Sequence, residues 1–263
     1  MRLSRFVSAA SALLLTAALA LVGAGSAQAA GPVYVALGDS YSAGVGSGSY
    51  DSSSGSCYRS SKAFPRLWAN AHSPSGFSFT ACSGATTTDV LNNQLGPLNA
   101  STTLVSISIG GNDAGFADVM TTCVLSSDST CLSRINQARD FANNQLPARL
   151  DSVYNAIGSR APSARVVVLG YPRFYKLGTS CIGLSETKRR AINDAADLLD
   201  TVTAKRAADH GFAFADVRGT FTGHELCSGS AWLHSLTLPV YESYHPTASG
   251  QSGGYLPVFT SAA

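Results

Sequence analysis

The chain has 263 residues, and its 18 Lys and Arg nearly balance 16 Asp and Glu. A nucleic-acid partner requires a clustered positive surface to neutralise phosphates, and a chain with only 13% charged residues and no such excess excludes that class. The length is enough for one domain to bury a full core.

The chain opens with Arg2 and Arg5, continues through an apolar stretch around Leu13, Leu14 and Leu15, and reaches the small-residue run Ala27-Gln28-Ala29. That order reads as a signal peptide over residues 1–29, because its apolar part is shorter than the ~20 residues of a membrane-spanning helix. Residues 30–263 are then expected as a single domain, secreted and extracellular, with 16 basic against 16 acidic side chains once Arg2 and Arg5 are removed. No second apolar run follows, so no transmembrane segment is expected, and nothing points away from a monomer.

All six cysteines, Cys57, Cys82, Cys123, Cys131, Cys181 and Cys227, lie beyond the leader. An even number in an oxidising compartment predicts three disulfides. Sequence leaves many pairings open; pairing of neighbours, Cys57–Cys82, Cys123–Cys131 and Cys181–Cys227, is the expectation. No C-x-x-C pair and no clustered histidines are present, so neither metal nor cofactor is expected.

Residues 32–37 form an apolar, β-branched run ending at Gly38, a buried strand entering a tight turn. Helical spacing follows over 62–71. A second strand over 77–82 stops at Gly84, and a helix over 88–95 has Thr87 as its expected N-cap. The third strand, 103–109, is closed by Gly110-Gly111. A long helical stretch over 133–157 contains Pro147 and should break there. Val166, Val167 and Val168 mark the fourth strand, 165–169. The helix at 185–210 repeats Ile192, Ala195, Ala196, Leu199, Val202 and Ala207 at helical intervals before Gly211, and a fifth strand covers 212–217.

Residues 47–61 and 219–244 lack periodicity and read as long loops. Alternation of strands and helices predicts an α/β fold, a mostly parallel five-stranded sheet flanked by helices on both faces. Such sheets bind ligands beyond the carboxyl ends of their strands, which points to the turns after the first three.

Four blocks in or near those places carry chemistry. Gly38-Asp39-Ser40 follows the first strand, where a sharp turn can expose a hydroxyl together with free backbone amides. Ser83-Gly84-Ala85 follows the second and offers a backbone donor. Ile109-Gly110-Gly111-Asn112-Asp113 follows the third, where a side-chain amide could donate to an oxyanion. Near the C-terminus, Tyr241-Glu242-Ser243-Tyr244-His245-Pro246 sets a carboxylate three residues before a histidine, as a base needing a fixed orientation would require. His210 falls at a helix end, and His72, His224 and His234 have no evident partner in sequence.

Taken singly, each block is an ordinary turn; their order Ser, Gly, Asn, His resembles that of the SGNH hydrolase family, also called GDSL esterases and lipases. The likeness runs from Val33 to about Ser249 and implies a flavodoxin-like three-layer sandwich. It implies Ser40 as nucleophile, His245 as base, and an oxyanion hole from Ser40, Gly84 and Asn112. In signal peptide, size and six cysteines the chain is similar to the secreted actinomycete lipases and phospholipases A1 of that family. Two departures stand out: Tyr41 follows the serine where Leu is usual, and Glu242 replaces the usual Asp. In some relatives a main-chain carbonyl takes the carboxylate's place, which here would be that of Ser243. The implied activity is hydrolysis of acylglycerols or other fatty-acyl esters through an acyl-enzyme on Ser40, with a lipid or small-ester substrate met at a lipid-water interface. Phospholipase A1 or B is the alternative; a carbohydrate acetyl esterase and a non-catalytic secreted binding module are further rivals.

Overall fold

A computed structural model of the protein describes residues 31–263; the expected signal peptide lies outside the described residues. Five strands, β1 (Val33–Gly38), β2 (Gly76–Phe79), β3 (Leu104–Ser108), β4 (Arg165–Leu169) and β5 (Ala213–Ala215), form one all-parallel sheet in the order β2-β1-β3-β4-β5. Successive strand residues point to opposite faces, yet Tyr34, Val35, Ala36 and Leu37 are all buried, so both faces of the sheet are covered. This is why β1, β3 and β4 read as continuous apolar runs in the sequence. The edge strands β2 and β5 are shorter than expected; they pair on one side only and are mostly half-buried.

Among the described residues, six helices of seven or more residues surround the sheet: α1 (Phe64–His72), α2 (Phe116–Leu125), α3 (Asp128–Asn144), α4 (Leu146–Arg160), α5 (Glu186–Asp209) and α6 (Leu256–Ala262). The expected break at Pro147 separates α3 from α4, and the proline sits in the first turn of α4, where its missing N–H costs nothing. Tyr34 packs against Trp68 of α1 at 5.3 Å and Phe259 of α6 at 5.5 Å between ring centroids.

One local expectation is corrected, and two helices appear that the sequence reading did not anticipate. Thr86, not Thr87, caps the short helix at Thr87–Asp89, in a capping box with Asp89, because the Thr87 hydroxyl is engaged elsewhere. The helix α2 was hidden because it starts at Gly115 with no side-chain cap and carries several β-branched residues. The C-terminal helix α6 was hidden behind Gly253, Gly254 and Pro257, which read as breakers. Pro257 lies in its first turn, and a Cβ on Gly254 would collide with the Phe221 ring, so that glycine serves close packing.

Disulfides join Cys57 to Cys82, Cys123 to Cys131 and Cys181 to Cys227. The first ties the loop at 47–61 to the end of the β2 segment, and the third ties the long connection at 219–244 to the segment before α5. In this strand order the connections diverge between β1 and β3, so a crevice opens beyond their carboxyl ends.

Candidate active site

The turn after β1 occupies that crevice and is clamped from several sides. Gly38 has φ 123°, and a Cβ there would meet the Ser108 backbone of β3, so only glycine fits. Gln94 accepts from Gly38 N at 2.7 Å and donates to Gly38 O at 2.8 Å, while Asp39 N donates to Ser108 O at 2.9 Å. The Asp39 carboxylate caps the helical turn Ser40–Ala43 by accepting from Tyr41 N at 3.0 Å. Ser40 is thereby fixed at the start of a helical turn, where a backbone amide is free. Among the described residues, the amides of Ser40 and Gly84 donate to no acceptor.

His245 reaches this turn from 205 positions away. Its Nε2 lies 2.7 Å from Ser40 Oγ, and its Nδ1 lies 3.0 Å from Ser243 O. A carbonyl oxygen can only accept, so Nδ1 carries the proton and Nε2 presents its lone pair to the serine hydroxyl. Burial pushes the imidazole down to about 4, an effect only partly offset by the Ser243 carbonyl, so the ring is neutral near pH 7. A neutral ring held in this tautomer can accept a proton.

Glu242 does not join this pair. Its carboxylate accepts from the Tyr50 hydroxyl at 2.6 Å, so of the two expected orienting groups it is the main-chain carbonyl of Ser243 that meets the ring. The correction has a geometric cause: residues Val240–Glu242 form one tight helical turn, which points the Glu242 side chain toward the loop at 47–61.

The turns after β2 and β3 are joined to each other. Asn112 Nδ2 donates to Ala85 O at 3.0 Å, which fixes the amide and leaves its second N–H available. Asp113 accepts from Thr87 N at 2.9 Å and from the Thr87 hydroxyl at 2.6 Å. Ser40, Tyr41 and Asn112 line one end of a cavity whose walls come from α2, α3 and α5, including Val119, Met120, Ala138, Ile192 and Leu199. Its lining is overwhelmingly apolar. Gly84 borders a second, more polar groove with Cys57, Arg59 and Asp89, but it immediately precedes Ala85, whose carbonyl holds Asn112, so its free amide stays with the Asn112 turn.

A serine hydroxyl facing a neutral imidazole, with free amides and a side-chain amide beside an apolar cavity, suits acyl transfer. The model of the GDSL-like lipase/acylhydrolase family matches residues 36–252. The chain belongs to this family, and it is an ester hydrolase. It is 68% identical to Lipase 1 of Streptomyces coelicolor, with both chains fully covered. The crystal structure of an extracellular lipase from Streptomyces rimosus aligns with a TM-score of 0.87 at 69% identity, covering 88% of this chain and 100% of that one. That of a phospholipase A1 from Streptomyces albidoflavus aligns with a TM-score of 0.88 at 64% identity, covering 89% and 100%.

Within this GDSL-like framework, the supporting roles of several residues had no signature that sequence reading could detect. Tyr41, the departure from the usual Leu, is buried; its hydroxyl donates to Tyr244 O at 2.7 Å and its ring centroid lies 5.3 Å from that of His245. It therefore braces the residue preceding the histidine, whose φ of 65° lies in the left-handed region. Tyr171 links two turns: its hydroxyl donates to Asp39 at 2.5 Å and accepts from Gly111 N at 3.2 Å. Burial raises the Asp39 carboxyl to about 7, with the Tyr171 hydroxyl opposing the shift. Of the other histidines, His234 meets Gly46 O at 2.7 Å and His224 stacks on Trp232, both holding the 219–244 connection in shape.

Proposed function

We propose that the protein is a secreted, monomeric lipase-type serine hydrolase that cleaves acylglycerols and other fatty-acyl esters through an acyl-enzyme on Ser40. His245 Nε2 takes the hydroxyl proton as Ser40 Oγ attacks the ester carbonyl. The oxyanion is received by the amides of Ser40 and Gly84 and by Asn112 Nδ2. The tetrahedral adduct expels the alcohol, which leaves with the proton returned by His245. Water, deprotonated by the same nitrogen, then attacks the acyl-enzyme and releases the acid. Ser243 O holds the ring and stabilises the imidazolium formed at each step.

The observation that carries this reading is the 2.7 Å approach of Ser40 Oγ to an imidazole whose other nitrogen is committed to a carbonyl, at the end of an apolar cavity. That cavity suits an acyl chain better than a charged or sugar leaving group, which favours fatty esters over acetylated carbohydrate. Secretion is supported by the leader-like N-terminus and by similarity to an extracellular lipase. No helix among the described residues is long and apolar enough to cross a membrane.

The test is a substrate panel on the purified protein: triacylglycerols of graded length, phosphatidylcholine and acetylated xylan, with a fluorophosphonate label in parallel. The expected result is turnover of glycerol esters and mass added at Ser40, both lost in Ser40→Ala. Preference for phosphatidylcholine would assign the phospholipase A1 reading, to which the Streptomyces albidoflavus likeness lends support. Absence of both turnover and labelling would remove the enzyme reading.

A further inference from the structure

Of six large hydrophobic side chains left exposed among the described residues, four fall within six positions just ahead of His245: Leu236 (59% exposed), Leu238 (85%), Val240 (62%) and Tyr241 (38%). Their backbone is not loose. Thr237 N donates to Ser243 Oγ at 2.9 Å, Glu242 N to Pro239 O and Ser243 N to Val240 O at 3.0 Å. Beneath them, His234 N donates to His245 O and Tyr244 N to His234 O, both at 2.9 Å. Tyr241 stacks on Tyr58 at 4.3 Å, and Glu242 turns inward to Tyr50. The polar atoms thus face the protein while apolar tips face outward, the reverse of an ordinary surface loop. No Lys, Arg, Asp or Glu occurs from Leu226 to Tyr241.

We propose that this face docks the protein on a lipid surface of uncharged or zwitterionic head groups, with Leu236, Leu238 and Val240 entering the acyl region and Tyr241 at head-group depth. The inference rests on the ester-hydrolase reading of Ser40, because the same segment continues directly into Ser243 and His245 and would bring that site to its substrate. An anionic surface is recruited by clustered Lys and Arg, which this run lacks. A second copy of the chain fits less well, since four partly exposed side chains offer a few hundred Å², below the roughly 800 Å² per partner of a standard interface. A rigid apolar projection gains on insertion without first being ordered.

The experiment compares the parent with a Leu236→Ser/Leu238→Ser variant on diether phosphatidylcholine vesicles, which contain no ester to cleave, alongside hydrolysis of soluble p-nitrophenyl acetate. The expected result is vesicle binding weakened at least about tenfold, with acetate turnover within about twofold and melting temperature unchanged. Equal vesicle binding by both proteins overturns the proposal. So does parent binding that requires anionic lipid and disappears in salt, or a parent dimer in sedimentation that the variant dissociates. A parent that hydrolyses no ester would defeat the ester-hydrolase reading, while the vesicle arm, which needs no turnover, would still report docking.

Discussion

The two stretches that meet at Ser40 and His245 are built in opposite ways. The turn after β1 is buried and inherits its geometry from the sheet: β3 backbone, Gln94 and Asp39 hold it from three directions. The stretch ahead of His245 belongs to a long connection without a strand or long helix, held by local hydrogen bonds, the Cys181–Cys227 bridge and the reach of Tyr41 and His234. The first is a property of the fold; the second is an added frame whose outer face remains free for apolar side chains. Damage to the first should therefore abolish chemistry, whereas changes in the second should retune it.

The largest effect is expected from Ser40→Ala, with kcat on p-nitrophenyl butyrate falling by about 10⁴-fold or more, since without the nucleophile only binding and the oxyanion donors remain. Asn112→Ala should lower kcat by about 10²- to 10³-fold with KM little changed, because its donor matters only once the oxyanion forms. Tyr41→Phe tests the joint between the two stretches. Leaving Tyr244 O without its buried donor should cost roughly 1 to 1.4 kcal/mol, read as a fall in kcat of about five- to tenfold.

The remaining predictions concern the histidine's frame. An imidazole titrating near 4 is still mostly neutral at pH 5, so kcat/KM should fall by less than about twofold between pH 7 and 5. A histidine at its ordinary value of about 6.5 would lose about twenty-five-fold over the same interval. The same lowering makes the unfolded chain the stronger proton binder, so this group's contribution to stability is intact above about pH 6.5 and is lost as pH falls toward 4. Among the substitutions the smallest effect is expected from Glu242→Gln: kcat within about threefold of the parent, against the ~10⁴-fold loss that follows removal of a triad carboxylate. A loss of that size would return Glu242 to the role of orienting partner and remove Ser243 O from it.

Legibility in the sequence followed how far each feature depends on side-chain pattern. The central strands β1, β3 and β4 were legible because burial on both faces leaves an unbroken apolar run, and α5 because one face repeats at helical spacing. The helices α2 and α6 were not, since glycine and proline placed for packing or at a first turn look the same in sequence as breakers. At the site, Ser40, Asn112 and His245 lay in recognisable blocks. Tyr171 did not: its only local mark is a tyrosine between Gly170 and Pro172.

By itself, the sequence determined the alternation of strands and helices, the turns at three strand ends and the residue types able to act there, because these depend on local propensity and periodicity. Tertiary structure decided which oxygen faces His245 Nδ1. A main-chain carbonyl is present at every residue and leaves no trace in composition, whereas a carboxylate three positions earlier is conspicuous and can still be turned away by one tight turn. Tertiary structure also decided that Leu236, Leu238 and Val240 stay outside the core, since burial depends on what the rest of the chain packs against each side chain.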